Sequence, residues 1–276
     1  MPLYHDYLIW LGLGIAICFA FNNEKNLSLI ALGCSLIVAI LLERLTTISA
    51  LSLGAAFLVT WRLTRLPQRY NIVAHAFIIL LCVALFTHSV PGIQNFLVLD
   101  QVTSGPQSTS FSMYLNLDKP LVFFILLLFY PSLLGKRGQI HFQAITYTSC
   151  YLFSLLFIAV FLGALRFELS FPSWWWLFIF NNLFFTCVAE ESLFRGYLQQ
   201  LLCDKWGINA GIGIAATLFG LAHISGGLLL VIFATLAGIG YGLIFHWTQR
   251  LWAVIFAHFT FNFIHLVFFT YPLTLN

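Results

Sequence analysis

The chain is built of long apolar runs that are separated by short polar or charged connections. A helix needs about 20 apolar residues to cross the hydrocarbon core of a bilayer, and several of the runs approach that length. Dividing the sequence at its charges, prolines and polar clusters predicts ten helical segments: residues 7–21, 27–42, 48–61, 71–89, 121–134, 142–165, 174–203, 208–224, 227–247 and 251–270. Some segments are short, so one or two are expected to be re-entrant or interfacial. The pattern predicts an all-α fold, a polytopic transmembrane helix bundle of about eight to ten helices.

One long polar stretch, residues 90–119, interrupts this pattern and contains the sequences PGIQN and SGPQSTS. It predicts a division into two parts. Residues 1–119 form N-terminal transmembrane helices and a polar loop, and residues 120–276 form a second set of transmembrane helices. The second part holds the polar residues that are unusual for a membrane span.

Composition agrees with a membrane protein and excludes other classes. Hydrophobic residues make up 61% of the 276 residues and charged residues only 8%, whereas average usage is about 45–50% apolar and about 25% charged. The formal net charge is +3, and the basic residues are scattered through the connections. No basic patch indicates nucleic-acid binding, so the expected surroundings are the lipid bilayer. The six cysteines occur singly, which predicts neither a disulfide framework nor a thiolate zinc site.

Three ionisable residues lie about midway along segment 174–203, where lipid makes a charge costly. Glu191 and Arg195 are four residues apart with the acid first, which is the favourable order for an ion pair along one helix face. Glu190 points about 100° away from Glu191 around the helix. The sequence therefore predicts that Glu191 is a structural partner of Arg195 and that Glu190 is free for chemistry.

Each of the two later motifs places two side chains four residues apart on one predicted helix. Phe219 precedes His223, and His258 precedes Asn262, so each pair is expected to face a single neighbour. A carboxylate and an imidazole can together deprotonate a water molecule that attacks a peptide carbonyl. Side-chain donors such as those of His258 and Asn262 can stabilise the resulting oxyanion. Three segments are thus predicted to form one site.

These motifs, in this order, resemble a known family. They are Glu190-Glu191-x-x-x-Arg195, Phe219-x-x-x-His223 and His258-x-x-x-Asn262. The sequence over about residues 120–270 is similar to the CAAX-protease and bacteriocin-processing family of intramembrane proteases, which is also called the glutamic or Abi type. The resemblance implies a CPBP-like catalytic core in residues 120–276.

The resemblance also implies a role for each motif residue. Glu190 would activate water together with His223, and His258 with Asn262 would form the oxyanion site. The supporting residues would be Glu191, Arg195 and Phe219. The family is often labelled metalloprotease, and Glu190, His223 and His258 are a plausible zinc set. The chain has no H-E-x-x-H motif and the carboxylate–histidine scheme works without metal, so we expect no metal or other cofactor, with zinc as the alternative.

The expected function is therefore that of an intramembrane endopeptidase. Its substrate would be a membrane-associated protein or peptide, cut in a C-terminal tail or a leader segment, and its location a prokaryotic inner or plasma membrane that it crosses several times. Two alternatives of other classes stay open. One is a non-enzymatic immunity or assembly protein on the same scaffold, and the other is a proton-coupled transporter that uses the Glu–Arg–His cluster as a relay.

Overall fold

The computed structural model describes residues 4–136 and 138–275, and of Tyr4 only the backbone. Ten main helices occur in these residues: α1 (Tyr7–Phe21), α2 (Lys25–Leu41), α3 (Thr47–Leu63), α4 (Asn71–Phe86), α5 (Lys119–Phe129), α6 (Phe142–Phe161), α7 (Trp175–Trp206), α8 (Ile208–Leu221), α9 (Leu228–Thr248) and α10 (Leu251–Phe268). Short 3-10 turns add Tyr4–Asp6, Gln68–Tyr70 and Ile224–Gly226. Each predicted segment holds one helix, and the predicted all-α fold is confirmed.

Within the described residues, five stretches are long and apolar enough to cross a membrane: Gln68–Phe86, Phe142–Phe161, Trp175–Trp206, Leu228–Thr248 and Leu251–Phe268. The other five helices are apolar but have only 10–17 residues. Large apolar side chains lie on the outside of the helices, including Ile72, which is 83% exposed, and Phe161, which is 89% exposed. An exposed apolar surface of this kind suits lipid and not water. The chain is an integral membrane protein.

The polar stretch at 90–119 contains two strands that the sequence interpretation missed. β1 (Phe96–Val102) and β2 (Phe111–Leu115) pair as a two-stranded sheet. The segment that joins them is tied down at Glu168. Its carboxylate accepts hydrogen bonds from the backbone N–H of Gln107 at 2.7 Å and from the Ser108 hydroxyl at 2.5 Å. The stretch is therefore partly ordered by hydrogen bonds and is more than a connecting loop.

The chain forms two compact units. The first comprises residues up to Val98 with Tyr114–Pro131 and Phe184–Ala189. In its core, the indole of Trp10 stacks on Phe96, with ring centroids 5.5 Å apart, and donates to the carbonyl of Asn116 at 3.1 Å. These contacts fasten α1 to the beginning and end of the sheet region.

The second unit comprises Leu99–Met113, Ser132–Leu183 and the residues from Glu190 onward. Part of its core is a cluster of buried apolar side chains from α6 and from the segments that follow α6 and α10: Leu156, Ala159, Leu165 and Phe269. All seven residues of the three sequence motifs belong to this unit.

Helix α7 is continuous but not uniformly α-helical. Two π-helical turns, Asn182–Cys187 and Ser192–Gln199, flank the short α-helical segment Val188–Glu191. Such turns are rare in proteins, and those that occur are often found at functional sites, because they widen the helix and redirect its side chains. The two glutamates of the first motif therefore lie between two distortions that the sequence pattern did not predict.

Candidate active site

A buried ion pair forms the base of the candidate site. Glu191 Oε1 lies 3.0 Å from Nη1 of Arg195, and both side chains are completely buried. This is the pair that the i, i+4 spacing predicts, and the structure confirms it. The second nitrogen of the same guanidinium, Nη2, donates to the backbone carbonyl of Gly238 on α9 at 3.0 Å. The arginine therefore neutralises the carboxylate and fastens α7 to α9.

The third motif reaches the same carboxylate. Nδ1 of His258 lies 2.7 Å from Glu191 Oε1. An ionised carboxylate only accepts hydrogen bonds, so Nδ1 carries the proton in this contact. The imidazole is 4% exposed and stacks on the ring of Tyr241, with centroids 4.5 Å apart. Packing on Tyr241 and the bond to Glu191 together fix the orientation of His258.

The ring of Phe219 brings the second motif to this cluster. Its centroid lies 4.4 Å from Cζ of Arg195, 5.7 Å from the ring of His258 and 4.7 Å from the ring of His223. The guanidinium contact has the geometry of a cation–π interaction. Phe219 is thus a shared packing partner of all three motifs, because its ring contacts Arg195, His258 and His223.

His223 lies just beyond the last residue of α8 and not within the helix. Its Nδ1 is 2.8 Å from the carbonyl oxygen of Phe219, in the last turn of α8. Histidine side chains commonly donate to such unpaired carbonyls at helix C-termini. Because a carbonyl only accepts, Nδ1 carries the proton and Nε2 keeps its lone pair in the neutral ring. His223 can therefore accept a hydrogen bond or a proton at Nε2.

Glu190 takes no part in the network around Glu191. Its side chain is half-buried, and its Oε2 is buried without a hydrogen-bond partner among the described residues. Within those residues no hydrogen bond joins Glu190 directly to His223. Buried polar atoms in folded proteins nearly always have a partner, which can be an ordered water or a ligand. This oxygen is therefore suited to hold a water molecule or a polar group of a substrate.

Asn262 makes a contact that the motif spacing did not indicate. Its Nδ2 donates to Oδ1 of Asn182 at 3.2 Å. Asn182 opens the first π-helical turn of α7 and is buried. A carboxamide nitrogen carries two hydrogens, so one donor of Asn262 is left for another acceptor. Adjacent asparagines at 181 and 182 within an apolar span were the sequence signal for this residue.

The zinc alternative can be compared with this geometry. Across residues 4–136 and 138–275, no group of three or more His, Cys, Asp or Glu side chains is arranged so that it could hold a metal ion. The set Glu190, His223 and His258 therefore does not fit a metal in the arrangement described here. Each imidazole directs its protonated Nδ1 at an oxygen of the protein.

Fold and site together define an all-α integral membrane protein with a cluster of ionised and imidazole groups buried among its helices. Residues 172–264, about a third of the chain, match the family described as Rce1-like, type II CAAX prenyl endopeptidase Rce1-like. This region contains all three motifs and confirms the resemblance to CAAX proteases. Searches of curated proteins and of solved structures find no significant match.

Proposed function

We propose that the protein is an intramembrane endopeptidase in which Glu190 and His223 activate the attacking water. The observation that carries this proposal is the difference between two neighbouring carboxylates. Glu191 is paired with a guanidinium and an imidazole, whereas Oε2 of Glu190 is buried and has no partner among the described residues. The similarity of residues 172–264 to CAAX prenyl endopeptidases supports proteolysis as the reaction class.

In the proposed reaction, a water molecule lies between the carboxylate of Glu190 and Nε2 of His223. The water oxygen attacks the carbonyl carbon of the peptide bond while its proton passes to Glu190. The tetrahedral intermediate then collapses, the C–N bond breaks, and the protonated Glu190 gives that proton to the leaving nitrogen. His223 accepts a hydrogen bond at Nε2 and orients the water. General acid–base catalysis of this kind contributes about 10²–10⁴-fold to a rate.

The oxyanion of the intermediate is assigned to Asn262 and His258. Asn262 offers the N–H that is not bonded to Asn182. Because Nδ1 of His258 already donates to Glu191, this histidine can donate to an oxyanion only from Nε2 of its doubly protonated form. The carboxylate of Glu191 accepts hydrogen bonds from Nδ1 of His258 and from Arg195, so it fixes the position of the imidazole. Glu191 and Arg195 are therefore positioning residues in this scheme.

The scheme uses no metal, and chelation tests this part of it. Cleavage that continues after exhaustive chelation, by protein without stoichiometric zinc, supports the proposal. Zinc at one equivalent per chain, with activity that is lost on its removal and restored by its return, overturns it in favour of a site at Glu190, His223 and His258.

The proposed substrate is a membrane-associated protein or peptide that is cut in a C-terminal tail or a leader segment, in a prokaryotic inner or plasma membrane. A site among membrane spans suits a substrate that is held in the same bilayer. We assign the reaction to residues 120–276, which hold all three motifs. Prenylated and unprenylated versions of one peptide would show whether a prenyl group is required.

The direct test of the proposal replaces the two side chains, Glu190 and His223, between which the proposed reaction places the water. Glu190→Gln and His223→Ala should each lower peptide cleavage at least about 100-fold. Glu24→Gln is the matched control, because Glu24 is exposed outside the site and the chemical change is the same. Cleavage retained by both site variants overturns the proposal. If the two site variants keep the biological function of the protein although no cleavage is detected, an immunity or assembly role is indicated. If they lose a proton-coupled flux in proteoliposomes, transport is indicated.

A further inference from the structure

A groove on the second unit lies apart from the ion-pair cluster. It has a volume of about 370 Å³ and is bordered by α6, by the end of α9 and by the first half of α10. Its wall is largely apolar, with the side chains of Ile145, Leu152, Phe153, Phe256 and Phe261. The volume lies in the usual range for small-molecule sites. Such a wall, within membrane-spanning helices, favours a hydrocarbon chain over water.

A cation without an acidic partner lies at one end of the groove. Arg250, between α9 and α10, lines the groove, and its Nε is buried without a hydrogen-bond partner among the described residues. None of the ion pairs in the described part of the chain includes Arg250. Arg250 as a whole is half-buried, and a buried polar atom without a partner is costly. An anionic ligand at this end would supply the missing partner.

The surroundings of Arg250 indicate the level of the lipid headgroups. Gly135 pairs with Arg250 in an isolated antiparallel bridge, and the N–H of Lys136 donates to the carbonyl of Gln249 at 2.9 Å. The exposed Lys136 therefore adds a second cation close to the first. Trp252, the second residue of α10, also lines the groove. Tryptophan and basic residues are enriched where helices leave the bilayer.

We propose that this groove binds an anionic phospholipid, with its phosphate at Arg250 and one acyl chain along the apolar wall. Basic pockets between transmembrane helices are known to bind anionic headgroups, and a basic residue near the surface contributes about 1 kcal/mol. Charge complementarity selects the anionic lipid, because a zwitterionic lipid carries its own cation. The lipid lies on one side of α10, while His258 and Asn262 of the same helix serve the candidate active site.

The experiment is a titration of the purified full-length protein in detergent, followed by native mass spectrometry. Phosphatidylglycerol and phosphatidylcholine with identical acyl chains are the two probes. We expect phosphatidylglycerol to bind at least about fivefold more tightly, and Arg250→Gln to remove the difference. Arg166→Gln is the matched control, because Arg166 is exposed and does not line the groove. Equal affinity for both lipids, or unchanged preference in Arg250→Gln, overturns the proposal.

Further measurements test the headgroup and the acyl chain separately. Lys136→Gln, at an exposed position, should weaken phosphatidylglycerol binding severalfold, and it keeps the test decisive if Arg250→Gln does not fold. Ala253→Trp places a large side chain in the groove and should weaken the binding of both lipids. Glycerol 3-phosphate should not displace the lipid. Full displacement by this soluble phosphate, or by an uncharged farnesyl group at equal concentration, contradicts an anionic phospholipid as the occupant.

Discussion

Two glutamates that are adjacent in the chain have different surroundings. The carboxylate of Glu191 is fully buried, with one oxygen shared by Arg195 and His258. Glu190 is half-buried, and its Oε2 has no hydrogen-bond partner among the described residues. The bond from Arg195 to Glu191 could be predicted because both residues lie one turn apart on a single helix. The bond from His258 could not, since it depends on how α10 packs against α7.

The first prediction uses this difference between the glutamates. Glu191→Gln removes the negative charge from a buried ion pair and leaves the charge of Arg195 without a counter-ion. The free energy of unfolding should therefore fall by about 3–5 kcal/mol. Glu190→Gln, next to it, should change the free energy of unfolding far less. Denaturant unfolding of both variants in the same detergent measures the comparison. Equal losses of stability would show that both carboxylates are structural.

The second prediction concerns the protonation of His223. The contact from Nδ1 to the carbonyl of Phe219 requires a proton on Nδ1 and leaves the neutral ring with a free Nε2. Nitrogen-15 spectra of protein labelled at histidine should therefore show His223 as the Nδ1–H tautomer, identified by the signal that disappears in His223→Ala. The opposite tautomer would remove the base that orients water in the proposed reaction.

The packing of α7 against α9 depends on the glycines of α9. Arg195 and Gln199 donate to the backbone carbonyls of Gly238 and Gly242, each at about one turn from the next. A β-carbon at Gly242 would lie 2.7 Å from Oε1 of Gln199. The Gly-x-x-x-Gly spacing predicts close helix approach. It could not predict which side chains would use the exposed carbonyls, because the π-helical turns of α7 set that register.

The third prediction tests this close approach with a pair of identical substitutions. In Gly238→Ala, the new Cβ would lie 3.1 Å from Cα of Ala216 on α8 and 3.2 Å from Nη2 of Arg195. Since overpacking typically costs about 1–3 kcal/mol, this variant should lose stability and activity together. Gly213→Ala is the control, because nothing lies within 4 Å of its added carbon. Similar stability of both variants would contradict the packing described here.

At the scale of the whole molecule, the hydrophobic pattern predicts the number and order of the helices. Each helix carries its own signal in the apolar run that encloses it, so all ten positions could be found. The strands Phe96–Val102 and Phe111–Leu115 could not, because they are short and the segment between them is held by the distant residue Glu168. The same reason explains the site: the motifs identify its residues, but the meeting point at Phe219 depends on the packing of α7, α8 and α10.

The central claim is that Glu190 directs water onto a peptide bond, and isotopic water measures it most directly. Purified protein in lipid nanodiscs would be incubated in H₂¹⁸O with membrane-bound peptides that carry prenylated and unprenylated C-terminal tails, and the new carboxyl termini analysed by mass spectrometry. The account predicts ¹⁸O in the new carboxylate with the natural sequence and with Glu24→Gln, and about 100-fold less product with Glu190→Gln. Labelled product at an undiminished rate from Glu190→Gln would contradict it.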